Sequence, residues 1–121
     1  MDRLIPLVEQ WARDRNILSY SVPQVLAQLG KVKEELHEVE TAFRILAEFQ
    51  DHYDTINAEE TIDRLETELT LELGDLMVTV IISAACMQIP LDQALEAAYN
   101  KIKHRKGKVI DGVFVKEEDL H

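Results

Sequence analysis

Four acidic side chains stand in two matching steps along the chain. Glu35 and Glu38 lie three apart in KVKEELHEVE, residues 31–40, and Glu72 and Asp75 lie three apart in ELTLELGD, residues 68–75. On an α-helix, residues i and i+3 share a face one turn apart, so each pair presents two carboxylates together. Two such helices packed on one another bring four carboxylates into one small volume. Anions removed from water are costly unless paired, so the cluster needs protons, basic partners or a hard divalent cation. Mg²⁺ fits best, because it takes oxygen ligands and is held by a few carboxylates together with substrate phosphates. Mn²⁺ suits the same oxygen set. The competing expectation is structural ion pairing, with Lys31, Lys101 and Arg105 as the neutralising cations.

The elements that must position these acids are helices. A first helix is expected over Asp2–Asn16, with Leu4, Leu7, Val8 and Trp11 at helical spacing. Trp11 reads first as a core residue and second as a platform for a nucleobase. Ser21 and Pro23 mark the start of a second helix over Pro23–Phe49. Its seam is expected at Val25, Leu29, Val32, Leu36, Val39, Phe43 and Leu46, alternating steps of four and three. Asn57 and Glu60 resemble a capping box that opens a third helix, Ala58–Met87. Its stripe is expected at Ile62, Leu65, Leu69, Leu73, Leu76 and Val80, and its second half is apolar nearly all round, the mark of a buried helix. A fourth helix is expected over residues 91–106, with Leu91, Leu95, Ala98 and Ile102 inward and Gly107 ending it. In the tail, Val-Ile and Val-Phe-Val flank Asp111-Gly112, the favoured two-residue hairpin turn.

On a helical wheel, Glu35 falls about 70° and Glu38 about 130° from the Leu36–Phe43 seam, on the same flank as Lys31. Glu72 and Asp75 share a strip with Glu68 that apolar residues border on both sides. Glu34 and His37 spell the Glu-x-x-His element of di-iron bundles, but a second copy is missing and the wheel turns both outward.

Composition bounds the rest. One domain is the natural size for 121 residues, and a formal net charge of −10 argues against a nucleic acid polymer or an anionic membrane as partner. The single cysteine, Cys86, sits in the apolar run VTVIISAACM and reads as an inert core residue. With no internal disulfide and no leader-like segment, a cytoplasmic protein is expected. The longest strongly apolar stretch, Leu76–Met87, is shorter than a bilayer span requires.

With these residues in view, the chain resembles the MazG-like nucleoside triphosphate pyrophosphohydrolases, an all-α family. The family pattern, E-E-x-x-E followed by E-x-x-D on a later helix, is met by Glu34-Glu35-Leu36-His37-Glu38 and Glu72-Leu73-Gly74-Asp75. Lys31, three residues before the first acid, matches a further common feature. The resemblance covers residues 23 to 106 and implies a four-helix bundle domain over 1–106, with 107–121 as a tail. It implies Glu35, Glu38, Glu72 and Asp75 as the Mg²⁺ ligands, in agreement with the wheel. It also implies cleavage of a (d)NTP to (d)NMP and pyrophosphate, in a homodimer or homotetramer. Lys101 and Arg105, read as four apart on the last helix, and more weakly Asn100 and Lys103, are expected to meet the phosphates; a carboxylate, with Glu38 as the candidate, is expected to take the proton of the attacking water, and the sequence does not assign that base. Two alternatives come from other classes: a non-catalytic helical oligomerisation or interaction module, and a hydrolase of another phosphorylated metabolite such as a phosphoribosyl-nucleotide.

Overall fold

A computed structural model describes residues 3–51 and 58–120. These residues are mostly helical: α1 (Leu4–Asp14), α2 (Val22–Asp51), α3 (Ala58–Cys86) and α4 (Leu91–Ile102), followed by a hairpin of β1 (Gly107–Ile110) and β2 (Val113–Lys116) and a 3₁₀ turn at Glu117–Asp119. This is the all-α class the sequence suggests, with the short C-terminal hairpin. The chain divides into two compact units, Met1–Gln88 and Ile89–His121, so that α4 groups with the hairpin.

In the first unit, α3 packs against both α2 and α1. Local chemistry fixes the turn between α1 and α2. Asn16 takes the left-handed conformation, with φ 59°, and the Ile17 N–H donates back to the Ala12 carbonyl at 3.0 Å while the Asn16 N–H donates to that of Arg13 at 3.1 Å. That pattern closes a helix C-terminus by satisfying its last carbonyls. Ser21 then caps α2, its Oγ accepting from the Gln24 N–H at 3.3 Å. The expected start of α2 is therefore observed, and its end runs two residues past Phe49 to Asp51. The Asn57–Glu60 capping box lies outside the described residues.

The core gathers Ala12 of α1 with Ile82 and Cys86 of α3, and Val8, Ile17, Leu18, Val25 and Val78 pack around them. Cys86 is 1% exposed, and its thiol donates to the Ile17 carbonyl, which also accepts from the Gln24 side-chain amide at 2.7 Å. It is the core residue the sequence suggests. By length and mean hydropathy α3 is able to cross a membrane. Within it, Ile81, Ile82, Ser83 and Ala84 are buried in the protein.

The seams differ from expectation in one systematic way. On α2 the buried and half-buried stripe is Gln28, Val32, Glu35, Val39, Ala42, Leu46 and Phe49; Leu36 and Phe43 are exposed. On α3 it is Ala58, Ile62, Leu65, Leu69, Glu72, Leu76 and Thr79; Leu73 is exposed. Both helices have turned so that an acid, not its apolar neighbour, occupies the seam. Alternate seam positions (Val32, Val39, Leu46; Ile62, Leu69, Leu76) serve either rotation, and apolar counting alone favours the wrong one.

In the second unit, α4 stops at Ile102 rather than at 106, and Lys103 N–H closes it on the Tyr99 carbonyl at 2.9 Å. Arg105 therefore lies beyond the helix and does not share a helical flank with Lys101. Leu91 is half-buried, whereas Leu95, Ala98 and Ile102, expected inward, are exposed. The hairpin forms as expected. Asp111 and Gly112 have φ 50° and 79°, and Ile110 pairs with Val113 across the two-residue turn. Gly107 opens β1 instead of ending α4. A Cβ there would strike the Val115 carbonyl oxygen and the Phe114 ring. Gly107→Ala is thus expected to loosen the hairpin by about 1–3 kcal/mol, the usual cost of overpacking. Faster amide exchange at Ile110 and Val113 is the readout, and unchanged exchange would contradict this contact.

Candidate active site

Rotation of the two seams sets the site. Glu35 lies near the middle of α2 and Glu72 near the middle of α3, at similar distances from the segment joining them, so the helices form a hairpin in which the two acids meet. Each of Glu35, Glu72 and Asp75 offers a carboxylate oxygen within 4.8 Å of the others. Glu35 and Glu72 are half-buried and Asp75, one turn on from Glu72, is exposed at the rim. The strip carrying Glu72 and Asp75 therefore does have an exposed side, contrary to the wheel. Glu38 is exposed and stands outside this trio, though close enough for its charge to act on Glu72.

Within this unit, burial and neighbouring acids dominate the electrostatics at Glu72. Desolvation first, and then the charges of Asp75, Glu38, Glu35 and Glu68, push the Glu72 carboxyl above the ordinary carboxylate range. Among the described residues of this unit, no basic side chain pairs with Glu35, Glu38, Glu72 or Asp75. Lys31 instead holds Glu34 at 3.1 Å, and Arg64 holds Glu68 at 3.0 Å. Glu34 and His37 are exposed, as the wheel indicated. Structural ion pairing, the competing expectation, is thus not what neutralises this cluster within its unit. Close oxygen donors without cations suit a hard divalent ion.

The sign of the pH effect follows. A carboxyl whose pKa is raised on folding contributes stability that is full below its unfolded pKa and is lost as pH rises through the folded value. Metal binding has the opposite slope, because the ion needs the carboxylate and displaces the proton. In EDTA, the difference in melting temperature between Glu72→Gln and the parent is expected to grow in favour of the variant as pH rises through that window. With Mg²⁺ present the parent is expected to gain stability over the same window. Thermal melts across pH with and without the ion test both slopes, and parallel curves for parent and variant would refute the assignment.

The second unit carries Lys101, Asn100 and Arg105. Asn100 Oδ1 accepts from Lys103 Nζ at 3.1 Å, leaving its NH₂ group as the outward donor. Arg105 is half-buried in a cavity of about 480 Å³ lined also by His104, Lys106, Lys116, Glu117 and Glu118. Sequence reasoning did not reach a second feature of the first unit. Leu4, Leu7, Val8 and Trp11 of α1 form a groove with Asp75 and Val78 of α3. Trp11 is 47% exposed, not the core residue it was first read as. The guanidinium of Arg15, one turn later, lies 4.2 Å from its ring centroid, a spacing visible in the sequence.

A mostly helical chain thus converges carboxylates from two long helices, with no basic partner for them among the described residues of that unit, and the trio is a donor set that could hold a metal ion. The model of the MazG nucleotide pyrophosphohydrolase domain matches residues 28–110, more than half of the chain, and the protein belongs to that family. The match spans both acidic motifs and all of α4. Searches of curated proteins and of solved structures returned no match.

Proposed function

We propose that the protein is a Mg²⁺-dependent pyrophosphohydrolase that splits a nucleoside or deoxynucleoside triphosphate into the monophosphate and pyrophosphate. The observation that carries this reading is the meeting of Glu35, Glu72 and Asp75 at the α2–α3 seam, in a chain of the MazG family. Glu35, Glu38, Glu72 and Asp75 would hold the ion, and Mn²⁺ would suit the same donors. Bound there, the ion supplies charge neutralisation for the polyphosphate and a Lewis acid for the attacking water.

The chain's own residues do the rest. Glu35 and Glu72, half-buried on facing helices, bring their donor oxygens together before substrate arrives. Glu38 is exposed beside them and takes the proton from the water that attacks the α-phosphorus. Lys101, Arg105 and the NH₂ group of Asn100 are assigned to the phosphates on charge and donor chemistry, and neutralise the departing pyrophosphate. Lys31 joins them by exchanging Glu34 for a phosphate oxygen; its present ion pair is solvent-exposed and worth little. Exposed Leu36, Phe43, Leu73 and Met77 leave an apolar surface on α2 and α3 that supports assembly as a homodimer or homotetramer.

The test is turnover of a panel of ribo- and deoxynucleoside triphosphates with Mg²⁺ and with EDTA, resolving pyrophosphate from orthophosphate. Pyrophosphate and monophosphate in equal amounts, only with the ion, are expected. Orthophosphate as first product, or turnover indifferent to EDTA, would sink the proposal.

A further inference from the structure

We propose that the groove between α1 and α3 is the subsite for the nucleobase of the substrate, with Trp11 as its stacking platform. The inference deepens the pyrophosphohydrolase reading and rests on it. The groove is open to solvent, has a volume of about 480 Å³ and is lined by Leu4, Leu7, Val8, Trp11, Val78 and Asp75. That volume falls within the range of small-molecule sites, which are mostly apolar with a few polar groups that fix orientation.

Three observations single out an aromatic ligand that also carries phosphates. The first is continuity. Asp75 belongs both to this groove and to the carboxylate trio, so one molecule occupying both has an apolar end against α1 and an anionic end at the acids. A nucleotide has that polarity. The second is the exposure of Trp11. Its neighbour Ala12 is fully buried in the core, yet the indole, the largest apolar side chain in the chain, leaves 47% of its surface open. The third is how the ring is held. Arg15 stacks on it at 4.2 Å, and Arg15 Nη1 donates to the Trp11 carbonyl at 3.0 Å. An indole has two faces; the guanidinium takes one and fixes the ring at little further entropic cost to a ligand that stacks on the other.

The lining also says how the base would be read. Apart from Asp75 and the indole N–H of Trp11, no wall residue has a side-chain donor or acceptor to match a base edge. Recognition is therefore by stacking and shape. Every base has a π-face, so such a site tolerates changes at the exocyclic groups and favours the larger purine ring. A hydrophobic pocket discriminates poorly against near-isosteres. A broad preference, purines over pyrimidines and modified purines accepted, is the expected profile.

Trp11 is the one tryptophan in the sequence, so its emission reports this groove alone. The probes are the non-hydrolysable α,β-imido analogue of dATP and inorganic tripolyphosphate, each with Mg²⁺. The analogue is expected to quench Trp11 at saturation; tripolyphosphate is expected to bind without doing so. Trp11→Ala is expected to weaken binding of the analogue roughly 5- to 150-fold, the usual range for removing one base–aromatic stack. It should leave tripolyphosphate binding within a few-fold of the parent. Trp11→Phe should restore most of the loss. Equal quenching by both probes, or analogue affinity unchanged in Trp11→Ala, would overturn the subsite. So would emission that follows protein concentration and ignores nucleotide, which would mean that a second copy fills the groove. The pyrophosphohydrolase reading fails separately, on the absence of pyrophosphate among the products, whatever Trp11 does.

Discussion

Glu72→Gln should reduce Mg²⁺-dependent turnover by about 10²–10³-fold, the scale on which removing one preorganised electrostatic contributor acts. The substitution keeps the size of the side chain and its place in the α2–α3 seam, so the helix pair has no reason to open. It removes one of the three carboxylates that meet there, the others being Glu35 on the facing helix and Asp75 one turn away. A ligand that binds only the folded state stabilises it by about 2.7 kcal/mol at a hundred times its Kd, which is roughly 10 °C in a domain of this size. Mg²⁺ should therefore raise the melting temperature of the parent by several degrees and that of Glu72→Gln by much less. Without the ion the variant should melt at or above the parent, because desolvation first, and then four neighbouring acids, raise the cost of ionising Glu72. The interaction-module alternative makes the opposite forecast: no shift with Mg²⁺ in either protein, and no loss of function in the variant. Parent and variant with equal Mg²⁺ shifts would remove Glu72 from the ligand set.

Much of this site was open to reading from the residues because its chemistry depends on spacing. Two i, i+3 acid pairs on long helices allow few arrangements, and ELGD within an otherwise apolar helix is hard to explain as surface. The hairpin was equally plain, since Asp-Gly between β-branched pairs has one favoured turn. The rotation of the seams was not. Leu36, Phe43 and Leu73 are more apolar than Glu35, Ala42 and Glu72, so a count of apolar positions places them inside. A helix with two apolar faces does not say which one its nearest neighbour covers, and here the less apolar face is the one between α2 and α3. The end of α4 was hidden for a different reason. His104, Arg105 and Lys106 suit a helix C-terminus by charge. The tail nevertheless engages Lys106, whose carbonyl accepts from the Glu117 N–H at 2.8 Å, and draws the segment into the hairpin. The groove beside Asp75 was out of reach because the pattern that makes α1 amphipathic is the same whether its apolar stripe is covered by protein or by a ligand.

The rotated seam carries the other large effect. Leu46 of α2 and Leu65 of α3 are both under 10% exposed, and replacing either by alanine should cost about 2–5 kcal/mol, as buried leucine truncations do. Leu36 and Leu73 are 46% and 51% exposed in the single chain. Leu36→Ala and Leu73→Ala should stay within about 0.5 kcal/mol of the parent in urea melts of the dissociated protein, helped by the good helix propensity of alanine. Their effect should appear instead in self-association, because the proposed homo-oligomer would take the apolar face left outside the α2–α3 seam out of water. Melts repeated over a wide range of protein concentration separate the two cases. For Leu46→Ala and Leu65→Ala the loss should be the same at every concentration. For Leu36→Ala and Leu73→Ala the loss should emerge as concentration rises, together with a smaller sedimentation coefficient than the parent. A full, concentration-independent cost at Leu36 would mean that it, and not Glu35, packs between the helices. The carboxylates would then point away from one another, and the metal site would lose its geometry.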